Sequence, residues 1–158
     1  MSGRIHRYET RLVWTGNEGT GTSSYGAYSR NHEINTSDKP VLLGSSDPAF
    51  RGDPERWNPE ELLLASLSAC HQLWYLHLCA SAGIVVTAYA DAAEGEMQET
   101  ADGGGHFTRV VLHPRVTLAS GSDAERAKAL HRAAHAKCFI ARSVRFPVEH
   151  VPEISVEK

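Results

Sequence analysis

The sequence predicts an α+β fold. Three observations carry that prediction: two long helical stretches at 58–83 and 123–141, several short alternating stretches bounded by glycine and proline, and an order without strict βαβ alternation. From Tyr8 to Trp14, YETRLVW alternates in character as a strand does, and the turn-rich GNEGTGTSS closes it. YGAYSRNHEI, 25–34, reads as a second strand. VLLGSSDPAFRGDPERW, 41–57, begins extended and passes into a loop punctuated by Pro48, Gly52 and Pro54. That loop delivers a helix: Asn58 offers an N-cap oxygen, Pro59 suits the first helical position, Glu60 and Glu61 complement the positive end of the dipole, and Gly83 stops it. IVVTAYADAAEGEM and FTRVVLHPRVTLA follow as two strands joined through the glycines at 103–105. Ser122 and Glu125 have capping-box spacing and open a second helix, DAERAKALHRAAHAKCFIA. The final segment, SVRFPVEHVPEISVEK, carries two prolines and is expected at a sheet edge. The predicted order is β-β-(β)-α-β-β-α-β, with no repeat and no linker.

A chain of 158 residues with 41% hydrophobic content suits one domain spanning 1–158. A formal charge of −3 without basic clusters gives no support for nucleic-acid binding. The N-terminal MSGRIHRYET has no apolar run of the signal-peptide kind, so a cytoplasmic location is expected, with thiols kept reduced. Three cysteines there argue against a disulfide framework and leave chemistry, metal binding or packing. Residues 62–90 contain no Asp, Glu, Lys or Arg, as a membrane span would. Ser66, Ser68, His71, Gln72, His77 and Ser81 are scattered round that run, however. A helix buried on most sides in a small domain or dimer core fits it better, and no membrane is expected.

Cys70 and Cys79 are nine residues apart, two and a half helical turns, on opposite faces and about 13.5 Å apart along the axis. They cannot bridge each other, because bridged Cα atoms lie within about 7 Å. Cys138 on the second helix is the remaining intramolecular partner, and spacing leaves open which of the two it serves. His131, His135 and Cys138 fall at i, i+4 and i+7, so a zinc site completed by His71 or His77 is a rival reading, weakened because HRAAH lacks the Glu of HExxH. Phe50, Trp57, Trp74 and Phe139 could line an apolar pocket or be ordinary core aromatics. Asp102 and Glu99 read as turn residues.

NPEELLLASLSAC, followed far downstream by a second Cys in AHAKCFIARSV, resembles the OsmC/Ohr family of cysteine peroxidases. The resemblance implies that Cys70 matches the peroxidatic cysteine, Cys138 the resolving one and Glu60 the acidic residue of the NPE motif. It also implies an intertwined homodimer with two central helices, antiparallel sheets and active sites at the subunit interface. The family's hydroperoxide reductases use an arginine near the end of the first strand, where this chain has Glu18. Arg30 and Arg51 are the candidate replacements, and Arg30 is preferred because a strand holds a guanidinium rigidly. A cation is needed on physical grounds as well. Cys70 lies about three turns into its helix, beyond the reach of the dipole, and desolvation disfavours a thiolate. Glu60 stands about 15 Å from Cys70 along the same helix, so it would act through an arginine, a neighbouring element or a second subunit.

The expected function is thiol-dependent reduction of organic hydroperoxides, with a dithiol as reductant and no cofactor. A non-peroxidatic dimer binding a small apolar ligand is the alternative.

Overall fold

Asn58 opens the longest element. Its side-chain oxygen accepts the Glu61 N–H at 2.8 Å and the Glu61 carboxylate accepts the Asn58 N–H at 3.2 Å, so two helix-end donors are satisfied reciprocally. Pro59 takes the first position, where no donor is needed, and α1 runs Pro59–Ser81. At its other end Gly83, at φ 72°, takes the left-handed conformation. There the Gly83 N–H reaches the Ala80 carbonyl at 3.2 Å and the Ile84 N–H reaches the Cys79 carbonyl at 2.9 Å. The expected boundaries of this helix are those observed.

The computed structural model describes residues 3–158 and comprises two units, Met1–Leu62 and Leu63–Lys158. In the first, β1 (Arg11–Trp14), β2 (His32–Asn35) and β3 (Leu42–Gly44) form an antiparallel sheet in the order β1-β2-β3. The second strand is shorter than the sequence suggests, and Arg30 precedes it instead of lying on it. The physical reason is local: the Arg30 guanidinium donates to the carbonyls of Tyr28 (2.6 Å) and Tyr25 (2.7 Å), which folds the preceding segment back on itself.

In the second unit, the two long strands expected from sequence are four. They are β4 (Val86–Asp91), β5 (Glu94–Glu99), β6 (Gly105–Leu112) and β7 (Pro114–Leu118). The chain changes sheet at 92–93 and again at His113, so β5 pairs with β6 in one sheet while β4 pairs with β7 in another. Asp91 pins this corner. One carboxylate oxygen accepts the His113 N–H at 2.7 Å and the other accepts the Ser68 hydroxyl of α1.

The second helix, α2 (Ala124–Lys137), is capped by Asp123, whose carboxylate accepts the Arg126 N–H at 2.9 Å. Two overlapping cap signals stood one residue apart, and the carboxylate displaces the expected Ser122–Glu125 box. Cys138, expected inside the helix, is its C-cap, with extended backbone (φ −63°, ψ 114°), and a 3-10 turn at Ala141–Ser143 follows. The last segment supplies two strands, β8 (Val148–His150) and β9 (Glu153–Val156). They lie parallel to β6 and β7 at the sheet edges, as the prolines required, and the orders are β5-β6-β8 and β4-β7-β9.

Leu67, His71, Tyr75 and Cys79, four residues apart in succession, form the buried stripe of α1. Tyr75 and Cys79 pack with Ile84, Val116, Leu118, Ala127 and Ala134, and Leu67 packs with Val110 and Leu112. Among the described residues, no helix is long and apolar enough to cross a membrane.

Candidate active site

Cys70 is half-buried on α1 and lines a cavity of about 360 Å³ with Leu73, Trp74, His77 and Phe139. Four of these five residues come from one helix at i, i+3, i+4 and i+7, which places them on a single face. Phe139 comes from the turn after α2, and its ring meets that of Trp74 at 5.7 Å between centroids. The His77 ring stands edge-on to Trp74 at 5.8 Å, and the Lys137 ammonium lies 5.6 Å from the centre of the Trp74 ring. A thiol thus sits in the wall of an apolar cavity with two nitrogen-bearing side chains beside the central indole.

Cys138 adjoins this site. Its side chain is fully buried and its sulfur accepts the Ala141 N–H at 3.4 Å. Burial, and after it the neighbouring thiol of Cys70, pushes the Cys138 thiol up to about 11, so it is protonated at neutral pH. All three cysteines are free thiols. Cys79 lies on the opposite side of α1, buried in the core beside Tyr75, where burial raises its pKa. The structure therefore brings Cys70 together with Cys138 and leaves Cys79 in ordinary packing.

Beside the thiols lies a buried cluster of imidazoles. His71 of α1 and His131 of α2 meet ring nitrogen to ring nitrogen at 2.9 Å, Nε2 to Nδ1. His131 lies flat on the Tyr75 ring at 3.8 Å. His150 of β8 stands 5.5 Å from His71 and 5.7 Å from His135. Burial first, then the neighbouring imidazoles, lowers His71 to about 4 and His131 to about 3, and burial lowers His150 too. Of the donors named for a zinc site, His71, His131 and Cys138 are engaged with one another or with backbone in this arrangement. His131 spends its Nδ1 on His71, the Cys138 sulfur faces Cys70 and Ala141, and among the described residues no three His, Cys, Asp or Glu are grouped to hold a metal ion.

The remaining candidates lie in Met1–Leu62. Arg30 is held between two aromatic rings, 4.4 Å from the centre of Tyr25 and 4.1 Å from that of Tyr28, with its donors on the carbonyls of those same residues. Its guanidinium is held by a loop and not by the strand the sequence suggested. The Arg51 guanidinium stands over the Tyr25 ring, 6.0 Å from its centre, and the residue has a left-handed backbone at φ 65°. Glu60 is half-buried in the first turn of α1. Glu18 is exposed in a turn organised by Asn17, whose side-chain oxygen accepts the N–H groups of Gly19 and Gly21 at 3.0 Å each. Phe50 and Trp57 belong to this unit as well and are partly exposed. Sequence reasoning missed Leu73 as a wall of the cavity. The spacing from Cys70 to Leu73, Trp74 and His77 was the signal that could have found it.

The model of a family described as OsmC-like protein matches residues 52–152. No curated protein matches the chain. Among solved structures, an OsmC-like protein of unknown function from Vibrio cholerae O1 biovar eltor superposes with a TM-score of 0.84 at 28% identity, covering 94% of this chain and 100% of that one. An organic hydroperoxide resistance protein from Elizabethkingia anophelis gives a TM-score of 0.68 at 21% identity, with 98% and 100% covered. One from Legionella pneumophila gives 0.67 at 22%, with 96% and 99% covered.

Proposed function

Because this chain belongs to the OsmC-like family, we propose that it is a thiol-dependent peroxidase that reduces organic hydroperoxides to alcohols through Cys70 and Cys138. One observation carries the proposal: a half-buried thiol in the wall of an apolar cavity, with a second, fully buried thiol beside it. The cavity admits the organic part of the substrate and presents its peroxide group to sulfur. The Cys70 thiolate attacks the O–O bond, the alcohol leaves, and a sulfenic acid forms on Cys70. Cys138 then condenses with it, its thiol proton departing with the sulfenic hydroxyl as water, and a Cys70–Cys138 disulfide remains. An external dithiol reduces that disulfide by exchange and is itself oxidised.

In this reading Arg30 is the cation that holds the thiolate and the developing charge on the leaving oxygen, and Glu60 orients it. The clamp of Tyr25 and Tyr28 supports Arg30 over Arg51, because a preorganised donor loses least on binding. The acting species is a homodimer of single-domain chains spanning 1–158. Its three free thiols suit a reducing, cytoplasmic setting.

A second reading has one specific observation in its favour. Glu18 is exposed at the position that the family resemblance loosely matches to the hydroperoxide reductases' arginine, which suits an OsmC-like dimer that binds a small apolar ligand in the same cavity and does no redox chemistry. Stopped-flow mixing of the reduced protein with cumene hydroperoxide separates the two. The peroxidase reading expects fast loss of one thiol followed by loss of a second. Thiols that react no faster than free cysteine would leave only the binding role.

A further inference from the structure

The helices that carry the two thiols are joined by a buried imidazole–imidazole hydrogen bond. His71 follows Cys70 directly in α1, and His131 stands seven residues before Cys138, about two turns up α2. Both side chains are buried, at 1% and 0% exposure, and their rings are parallel to within 7°. A neutral imidazole has one N–H and one lone pair, so a 2.9 Å contact between two of them requires complementary tautomers, one donating and one accepting. The geometry is therefore specific in a way the surrounding apolar contacts are not. Ala127 and Ala134 of α2 share a core cluster with Tyr75 and Cys79 of α1, and such apolar contacts are non-directional, so by themselves they specify register less sharply. A buried hydrogen bond does not tolerate a slip, which leaves two polar atoms without water or partner.

The bond is braced from both sides. Tyr75 lies flat against His131, while His150 of β8 closes over both rings. The titratable groups facing the pair are Tyr75 on α1, His135 on α2 and His150 on β8. Beyond His131, α2 runs on as regular helix to Lys137, and Cys138 is held at its end by the Ala141 N–H on its sulfur. Whatever fixes α2 along α1 at His131 also fixes where the Cys138 sulfur stands relative to Cys70.

We propose that the His71–His131 bond is a positioning latch, setting α2 against α1 in the register that presents Cys138 to Cys70 and so favouring the disulfide over the two thiols. The proposal rests on the reading of those cysteines as a redox pair. The latch touches neither peroxide nor sulfur, and it acts by raising the effective concentration of one thiol at the other.

The test is the equilibrium of the Cys70–Cys138 disulfide in buffers of reduced and oxidised dithiothreitol at pH 7, read by mass spectrometry in a Cys79→Ala background. His131→Leu should lower the disulfide equilibrium constant at least tenfold, about 30 mV for this two-electron couple. His131→Asn places an amide at the Nδ1 position and should return it to within threefold of the parent. Val116→Ala, a core truncation away from the latch, should lower the thermal midpoint and leave the constant within twofold. If His131→Leu does not fold, the double variant His71→Leu/His131→Leu replaces it, because removing both partners orphans neither. A constant unchanged by loss of the latch, or lowered equally by Val116→Ala, overturns the proposal. A parent protein that forms no Cys70–Cys138 disulfide at any dithiothreitol ratio overturns the redox-pair reading itself, and is distinguished by needing no histidine variant.

Discussion

Cys70, Cys79 and Cys138 are chemically identical residues in three environments, and their environments predict three phenotypes. Cys70→Ser is expected to abolish hydroperoxide reduction, because among the described residues it removes the sulfur that lines the cavity. Cys79→Ala is expected to retain at least half the activity, since that thiol faces the core on the other side of α1. Comparable losses in both variants would sink the assignment, with initial rates on cumene hydroperoxide as the measurement. Cys138→Ser should consume about one equivalent of peroxide and stop, leaving a sulfenic acid that a dimedone probe captures. Continued turnover with a dithiol would remove Cys138 as the resolving residue. At this scale the sequence was informative wherever one helix sets the geometry: the opposite faces of Cys70 and Cys79 follow from 3.6 residues per turn. It named Arg30 for the wrong reason, a strand, because the carbonyls that receive its guanidinium are delivered by a folded-back loop, an arrangement no spacing announces.

Elements were legible in proportion to how local their causes are. Both ends of α1 follow from residues within four positions, the Asn58–Glu61 box and the Gly83 turn. The break of the long strands at Asp91 and His113 depends on a bond spanning twenty-two positions, and alternation in the sequence runs straight through it. The junction of α1, α2 and β8 carries a pH dependence of definite sign. His71 and His131 titrate at about 4 and about 3 when folded, against 6.5 for the free side chain, so between those values the unfolded chain binds more protons than the folded one. Stability is then fully present above pH 6.5 and is lost as the pH falls toward 4. For His71 alone the shift corresponds to about 3 kcal/mol. Urea midpoints from pH 7.5 to 4.5 should decline for the wild type, and His71→Gln, which keeps a donor or acceptor near the Nε2 position and cannot titrate, should decline less. Parallel curves for the two proteins would show that the histidines are not the groups responsible.

At the scale of the molecule, α1 buries one stripe and leaves Leu73 65% exposed, Phe139 beside it in the cavity wall is 68% exposed, and Val85 after the helix is 56% exposed. A run of residues without charge from 62 to 90 needs more cover than one such stripe provides. A permanent homodimer is therefore expected, with an interface above about 2,000 Å². Sedimentation equilibrium of the reduced protein at low micromolar concentration should give twice the chain mass of 17.3 kDa, with a thermal midpoint that falls on dilution. A compact monomer whose midpoint ignores concentration would refute it.

The pairing of β8 with β6 and of β9 with β7 bears on how the protein is made. Both sheets of Leu63–Lys158 receive their last strand from the nine residues Val148–Val156, so neither can close while those residues are still inside the ribosome. Until then β6 and β7 present open hydrogen-bonding edges to every other nascent chain nearby. A polypeptide lacking Val148–Val156 would keep Cys70 and Cys138 but leave both sheets without their last strand, and is expected to aggregate.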